Sequence, residues 1–158
     1  MRVYLIRHAP AVDVPPGARF LDDLRELTPR GRRRFKQTAR AFADLGEQIE
    51  SLQSSPVLRA VQTAELLARH LRHTQVSVLE ELRPGVSAVP VRDWLLQQRK
   101  ESIALVGHGR QLRDLVRLLV GPKPPFAIKK GSIIRIDLLG KRARPRWSLR
   151  NLEDVLSA

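Results

Sequence analysis

The chain has 158 residues, carries 29 Lys+Arg against 16 Asp+Glu for a formal net charge of +13, and contains no cysteine. This length suits a single domain over residues 1–158 with a real core, and the missing cysteines exclude disulfides, a thiolate nucleophile and a Cys-based zinc site. No run approaches the roughly 20 apolar residues of a membrane span, and the apolar stretch after Met1-Arg2 is too short for a signal peptide, so the sequence predicts a soluble cytoplasmic protein with no membrane partner. The positive field would steer anionic partners such as phosphorylated proteins or sugar phosphates, although a merely arginine-rich solvated surface accounts for the composition equally well. Arginines spread along the whole chain, with 4% aromatics, argue against a nucleic-acid groove.

The chain opens on Val3-Tyr4-Leu5-Ile6, an apolar run that reads as a strand covered on both faces and ends in Arg7-His8. Ligands of open α/β sheets bind beyond the carboxyl ends of the strands, which is where Arg7 and His8 would stand. Residues 11–25 contain Pro15-Pro16-Gly17 and Asp22-Asp23-Leu24-Arg25 and read as a loop over that strand end. Thr28 suits an N-cap and Pro29 the first helical position; Phe35, Thr38 or Ala39, Phe42 and Leu45 give the buried face of the helix, which Gly46 stops.

Ile49 to Gln53 is a candidate second strand. Ser54-Ser55-Pro56 reads as a cap-and-proline start to a helix running to about His70, with Val57, Val61, Ala64, Leu67 or Ala68, and Leu71 as its stripe. Arg59 then lies in the first turn, facing the same sheet edge as His8, where the helix dipole disfavours a cation unless an anion is also bound there. Val76 to Leu79 is a third strand, residues 80–85 the turn leaving it, Pro90 to Gln98 a helix with Trp94 and Leu95 inward, and Ile103 to Val106 a fourth strand. Gly107-His108-Gly109 follows, then an amphipathic helix on Leu112, Leu115 or Val116, and Leu119, ended by the Gly121 to Pro125 loop. Ser132–Leu138 and Arg146–Arg150 form a hairpin across Gly140. Strands alternating with helices predict an α/β protein with a mostly parallel sheet and an antiparallel addition near the C-terminus.

A single histidine after a strand is usually structural, but His8 and His108 share one context, the first beside an arginine and the second between glycines. Neutral imidazole is a competent nucleophile towards phosphorus, and the forks of Arg7 and Arg59 match phosphoryl oxygens bidentately. Gly107 and Gly109 would let backbone approach a phosphate, with the N-terminus of the following helix pointing at it. Converging at one sheet edge, these residues read as a phosphatase or phosphomutase site that needs neither metal nor cofactor. His70 and His73 lack a third ligand and read as helix-end histidines rather than a metal pair. Neither a G-x-x-x-x-G-K-[ST] loop nor a G-x-G-x-x-G fingerprint is present.

Arg7-His8-Ala9 after a strand resembles the RHG signature of the histidine phosphatase, or phosphoglycerate mutase-like, superfamily. Leu27-Thr28 with Gly31, Ser55-Pro56 with Arg59-Ala60 and Gln62-Thr63-Ala64, and Val106-Gly107-His108-Gly109 extend the match to about Leu119. Asp22 and Arg25 before Leu27-Thr28, Glu81-Leu82 with Pro84-Gly85, and Lys130-Gly131 most resemble the SixA-like phosphohistidine phosphatases within it. The resemblance implies a phosphoglycerate mutase-like three-layer α/β/α sandwich. It makes His8 the nucleophile that becomes phosphorylated, Arg7, Arg59 and His108 the phosphoryl pocket, and Arg25 a loop arginine approaching the substrate, with Gly109 beside the phosphate. Two departures stand out. Ala9 replaces the usual glycine, and Pro84 takes the place of a glutamate general acid carried by many phosphoester-cleaving members, leaving Glu81 or Glu80 as the possible proton donor. The expected activity is therefore a metal-independent phosphatase acting on phosphohistidine in a phosphorylated protein. The alternatives are a phosphatase or mutase for a small phosphorylated substrate, and a non-catalytic phosphate-binding module.

Overall fold

The computed structural model describes residues 1–71, 75–123, 126–140 and 142–149, with Arg19 and Phe20 described by backbone alone. His73, Pro124, Pro125 and Arg150 of the sequence reading lie outside these residues. Six strands, β1 (Arg2–Arg7), β2 (Ser51–Ser54), β3 (Val76–Val78), β4 (Ser102–Gly107), β5 (Ile133–Leu139) and β6 (Arg142–Leu149), form one sheet in the order β3-β2-β4-β1-β5-β6. The four strands β1 to β4 run parallel; β5 pairs antiparallel with β1, and β6 antiparallel with β5. Four helices, α1 (Pro29–Asp44), α2 (Leu58–Ala68), α3 (Ala88–Leu96) and α4 (Gly109–Val120), complete the α/β sandwich.

The two-residue alternation of the central strands sorts the core into two layers. Tyr4 and Ile6 of β1 with Ala104 and Val106 of β4 face Phe35, Ala39 and Phe42 of α1 and Ala60, Ala64 and Leu67 of α2. Val3 and Leu5 with Ile103 and Leu105 face Val91 and Leu95 of α3 and Leu112, Leu115 and Val116 of α4. Both β1 and β4 are thus apolar on both faces, which is why each reads as an unbroken hydrophobic run. Burial of each Val, Leu, Ile or Phe side chain among them contributes about 1.5–3 kcal/mol. The outcome is a firm platform whose carboxyl edge carries Arg7-His8 and His108.

Thr28 caps α1 as expected, its hydroxyl accepting from the Gly31 N–H at 2.9 Å, with Pro29 at the first position. The start of α2 differs. Helix geometry begins at Leu58 behind Val57, no side chain caps it, and Ser55 is free for another task described below. Ser87, not Pro90, sets the start of α3 by accepting from the Val89 N–H at 3.2 Å. β2 is displaced by a residue or two from its expected bounds, and β3 starts at Val76 as expected but ends one residue early, at Val78. β6 begins at Arg142, ahead of the expected Arg146, because the ladder absorbs Pro145 through a register shift opposite Arg135/Ile136. As an edge strand β6 tolerates a residue that cannot donate to a ladder.

Candidate active site

β1 and β4 are adjacent and parallel, with Arg7 opposite Gly107, so the next residue of each strand leaves the sheet at the same level. The rings of His8 and His108 accordingly stand with centroids 5.3 Å apart and planes inclined by 51°. Both are nearly enclosed, at 7% and 9% exposure. His8 Nδ1 donates to the carbonyl of Ala9 at 2.8 Å. A carbonyl can only accept, so Nδ1 carries the proton and the lone pair of the neutral ring is on Nε2. Burial, assisted by Arg59, Arg7 and Lys130 against the Ala9 hydrogen bond, pulls the His8 pKa down to about 4. His108 is pulled down to about 3, by burial and then by its cationic neighbours and His8, with Asp22 opposing. Both imidazoles are neutral at pH 7.

The arginines reach this edge from two directions. Arg7, the last residue of β1, donates from Nη1 to the carbonyl of Ile128 at 3.0 Å, while its buried Nε has no partner. Its guanidinium lies against Gly109, where a Cβ would fall 2.7 Å from Cζ and 2.8 Å from Nε. Gly109 is therefore glycine to make room for Arg7. Gly107 has no such reason, since a Cβ there would meet only Leu112 and Leu82 at 3.4 and 3.5 Å. Arg59, in the first turn of α2 and 4% exposed, holds Asp22 with both terminal nitrogens, at 2.6 Å to the carbonyl and 3.0 Å to Oδ2. No side chain caps α2 or α4, so their first N–H groups and positive dipole ends remain available to an anion at this edge.

Several residues that sequence reasoning left without a role hold the arrangement. Ser55 Oγ and His108 Nε2 share a hydrogen bond of 2.9 Å. Thr63, one turn after Arg59, donates to the Arg59 carbonyl at 2.7 Å and accepts from the Ala9 N–H at 3.1 Å, tying α2 to the end of β1. The Gly131 N–H donates to the carbonyls of Arg7 and His8 at 3.0 and 3.2 Å. Ala9 is wholly buried within the layer of Phe35 and Ala39. At Gly31 a Cβ would lie 2.2 Å from the Pro10 carbonyl oxygen, which explains that position in the Leu27-Thr28 motif.

The remaining candidates sit at the margin. Arg25 adjoins the pocket through Asp22, bonding its Oδ1 at 3.1 Å, while its Nε donates to the Val12 carbonyl and its other terminal nitrogen lies 3.5 Å from Asp13. Pro84, Gly85 and Ser87 line a groove together with His108, Arg110 and Gln111. Glu80 pairs with Arg83, and the Glu81 carbonyl accepts from Gln111 Nε2 at 2.6 Å. His70 Nδ1 donates to the Leu66 carbonyl at 2.8 Å as a helix-end histidine. Among the described residues no group of three or more His, Asp or Glu is placed to hold a metal ion, and no helix is long and apolar enough to cross a membrane.

The sequence model of the histidine phosphatase superfamily (branch 1) matches residues 3–84, which takes in both arginines and His8. The chain belongs to the histidine phosphatase superfamily. An uncharacterized protein of Picosynechococcus sp. (strain ATCC 27264 / PCC 7002 / PR-6) is 36% identical over 119 residues, covering 72% of this chain and 70% of that protein. The mitochondrial serine/threonine-protein phosphatase Pgam5 of Drosophila virilis is 28% identical over 145 residues, and there the match spans 49% of the relative's length. Among solved structures, that of the protein histidine phosphatase SixA complexed with tungstate superposes with a TM-score of 0.84 at 25% identity, over 95% of this chain and 97% of that one. The fold is thus that of the phosphoglycerate mutase-like enzymes, and the family and its neighbours support a phosphatase.

Proposed function

We propose that this histidine phosphatase removes phosphoryl groups from phosphohistidine in a protein, using His8 as its nucleophile and Arg7, Arg59 and His108 as its phosphoryl pocket. Nε2 of neutral His8 attacks phosphorus as the P–N bond to the substrate imidazole breaks. The departing ring nitrogen takes a proton from solvent, and water then attacks the phosphorylated His8, releasing phosphate and restoring the ring. The observation that carries this reading is the His8 Nδ1 bond to the Ala9 carbonyl, which leaves Nε2 unprotonated beside His108. Arginine forks and uncapped helix N-termini supply the charge that a metal would otherwise supply.

The substrate class follows from leaving-group chemistry. Expelling an alkoxide needs an acid, since hydroxyl oxygen is as weak an acid as water, at about 15.7. An imidazole, with a reference pKa of about 6.5, accepts a proton from water near neutrality. Pro84, in the groove beside His108, cannot donate one. Likeness to the tungstate-bound SixA supports the same substrate, tungstate being a tetrahedral oxyanion shaped like phosphate. The likeness to Pgam5 favours a second reading, a phosphoester substrate with Glu81 as acid. Phosphohistidine protein, phosphoramidate, aryl phosphate and alkyl phosphate assayed side by side decide between them. The first reading expects efficient cleavage of the P–N substrates, little of alkyl esters, and indifference to Glu81→Gln and to chelators. Loss of alkyl ester hydrolysis in Glu81→Gln, from a wild type that cleaves such esters well, would replace it with the second.

A further inference from the structure

The loop that crosses the pocket brings an anion of its own. The 3₁₀ turn Arg19–Leu24 carries Asp22 and Asp23, and Asp22 takes one N–H from each terminal nitrogen of Arg59, the first with its carbonyl and the second with its carboxylate. The two partners differ sharply in exposure, Arg59 at 5% and Asp22 at 39% of side-chain surface, so the carboxylate closes the solvent side of a buried cation. Its position does not depend on Arg59 alone. Arg25 holds the other carboxylate oxygen at 3.1 Å and is itself fixed to the Val12 carbonyl, while Asp23 pins the same turn to Arg83 at 2.7 Å.

We infer that Asp22 is a positioning residue which keeps the pocket's hold on phosphate weak, by occupying Arg59 with a carboxylate that any bound phosphoryl group must share or displace. The inference rests on the proposed role of Arg59 in holding the phosphoryl group. Two arginines, an imidazole and two helix N-termini aimed at one dianion would otherwise retain the inorganic phosphate released at the end of each turnover. A fixed carboxylate at hydrogen-bond distance from the same guanidinium opposes that retention by like-charge repulsion, and it reclaims the vacated N–H groups as phosphate leaves, so the buried cation is never left unpaired. Arg25 and Arg83 hold this competitor in place from outside the pocket.

Asp22→Asn keeps the shape and removes the charge. Inorganic phosphate, titrated as a competitive inhibitor of aryl phosphate hydrolysis, should bind this variant at least about tenfold more tightly than wild type, the factor for two unit charges roughly 6 Å apart at an effective dielectric of about 40, which the second charge of a dianion raises further. Asp22→Ser should shift the inhibition constant in the same direction, so a folding defect peculiar to one variant cannot mimic the result. Asp93→Asn, on α3, changes net charge equally and frees Arg92 but touches neither Arg59 nor the turn that carries Asp22, and should leave phosphate inhibition within about twofold, as expected of an exposed ion pair. Unchanged or weaker phosphate inhibition in both Asp22 variants would overturn the inference, as would equal tightening in Asp93→Asn, which would make the effect one of general charge. Arg59→Ala separates the two layers of argument. Phosphate binding to this variant is read by calorimetric titration, since loss of the arginine removes the turnover that an inhibition assay needs. If the substitution abolishes phosphate binding while Asp22→Asn fails to tighten it, the inference alone falls; if phosphate binds the Arg59→Ala variant as it does wild type, the pocket assignment falls with it.

Discussion

Gly109→Ala tests the pocket at the point where its geometry is tightest. The added Cβ would lie 2.7 Å from Arg7 Cζ, 2.8 Å from Nε and 3.1 Å from Nη1, whereas ordinary contacts begin near 3.4 Å. The guanidinium must therefore withdraw by roughly 0.7–1 Å. It cannot do so freely, because the Arg7 backbone is held opposite Gly107 in the ladder and by the Gly131 N–H, and Nη1 is bonded to Ile128. A displacement of about 1 Å in a positioning group costs about a hundredfold in rate, or roughly 2.7 kcal/mol of transition-state stabilisation. The φ of Gly109 is not positive, so the backbone accepts alanine, and the helix-propensity gain of at most about 1 kcal/mol offsets only part of the roughly 1–3 kcal/mol that the clash costs; melting temperature should fall by no more than about 10 °C while kcat/KM for an aryl phosphate falls far more. Gly107→Ala, which meets only ordinary contacts, should stay within about threefold of wild type. Full activity in Gly109→Ala, or equal damage in Gly107→Ala, would refute the claim that this glycine exists to seat Arg7.

Two further predictions concern the histidines. Ser55→Ala removes the partner of His108 Nε2 inside a buried site, and should lower kcat/KM about tenfold with a stability loss of about 1 kcal/mol; unchanged kinetics would assign Ser55 to packing alone. The imidazoles of His8 and His108 should titrate in the free folded protein near pH 4 and pH 3, read by NMR with Asn substitutions for assignment. In the unfolded chain both take up protons around pH 6.5, so stability should be full above that value and fall as pH drops towards 4. His8 alone would account for about 3 kcal/mol. A urea midpoint that falls as steeply with acid in His8→Asn as in wild type would refute that share.

The two central strands were legible because a strand buried on both faces must be apolar at every position, and Val3–Ile6 and Ile103–Val106 are. Their shared ending in histidine pointed to one place, since parallel neighbours in register put the residues after their ends side by side, and His8 and His108 do meet there. Arg59 was placed in the first turn of α2 by the helix start read just past a strand, and that position holds although the helix begins at Leu58. What stayed hidden was the use of small polar residues. Ser55 stands where a helix cap is expected, and nothing local distinguishes a serine that caps α2 from one that reaches across to His108 at the head of α4. Thr63 reads as one more helical position until the Ala9 N–H is known to lie above it. The role of Asp22 was equally invisible: a loop Asp-Asp pair reads as solvated charge unless the buried arginine beneath it is already located. Local pattern fixes elements and faces, whereas these contacts depend on side chains far apart in sequence meeting at one edge.

The electrostatics of that edge also bear on the nucleophilic role proposed for His8. A histidine meant to act as a general base or to survive as imidazolium is commonly paired through Nδ1 with a carboxylate, which raises its pKa and stabilises the charged ring. Here the Nδ1 partner is the carbonyl of Ala9, and the charged neighbours facing the ring, Arg7, Arg59 and Lys130, all disfavour its protonation. The carbonyl fixes the tautomer without supplying a full counter-charge, so the ring stays neutral and presents Nε2 at every pH where the protein is most stable. The cations that suppress protonation are those proposed to bind the phosphoryl oxygens. On that proposal one set of charges does both tasks: it keeps the proposed nucleophile unprotonated in the free protein and receives the dianion on binding, at which point part of the field that lowers the imidazole pKa is neutralised. A carboxylate placed on the ring instead of on Arg59 would have undone the first task, which is why the location of Asp22, against the arginine and away from His8 Nδ1, matters to the chemistry.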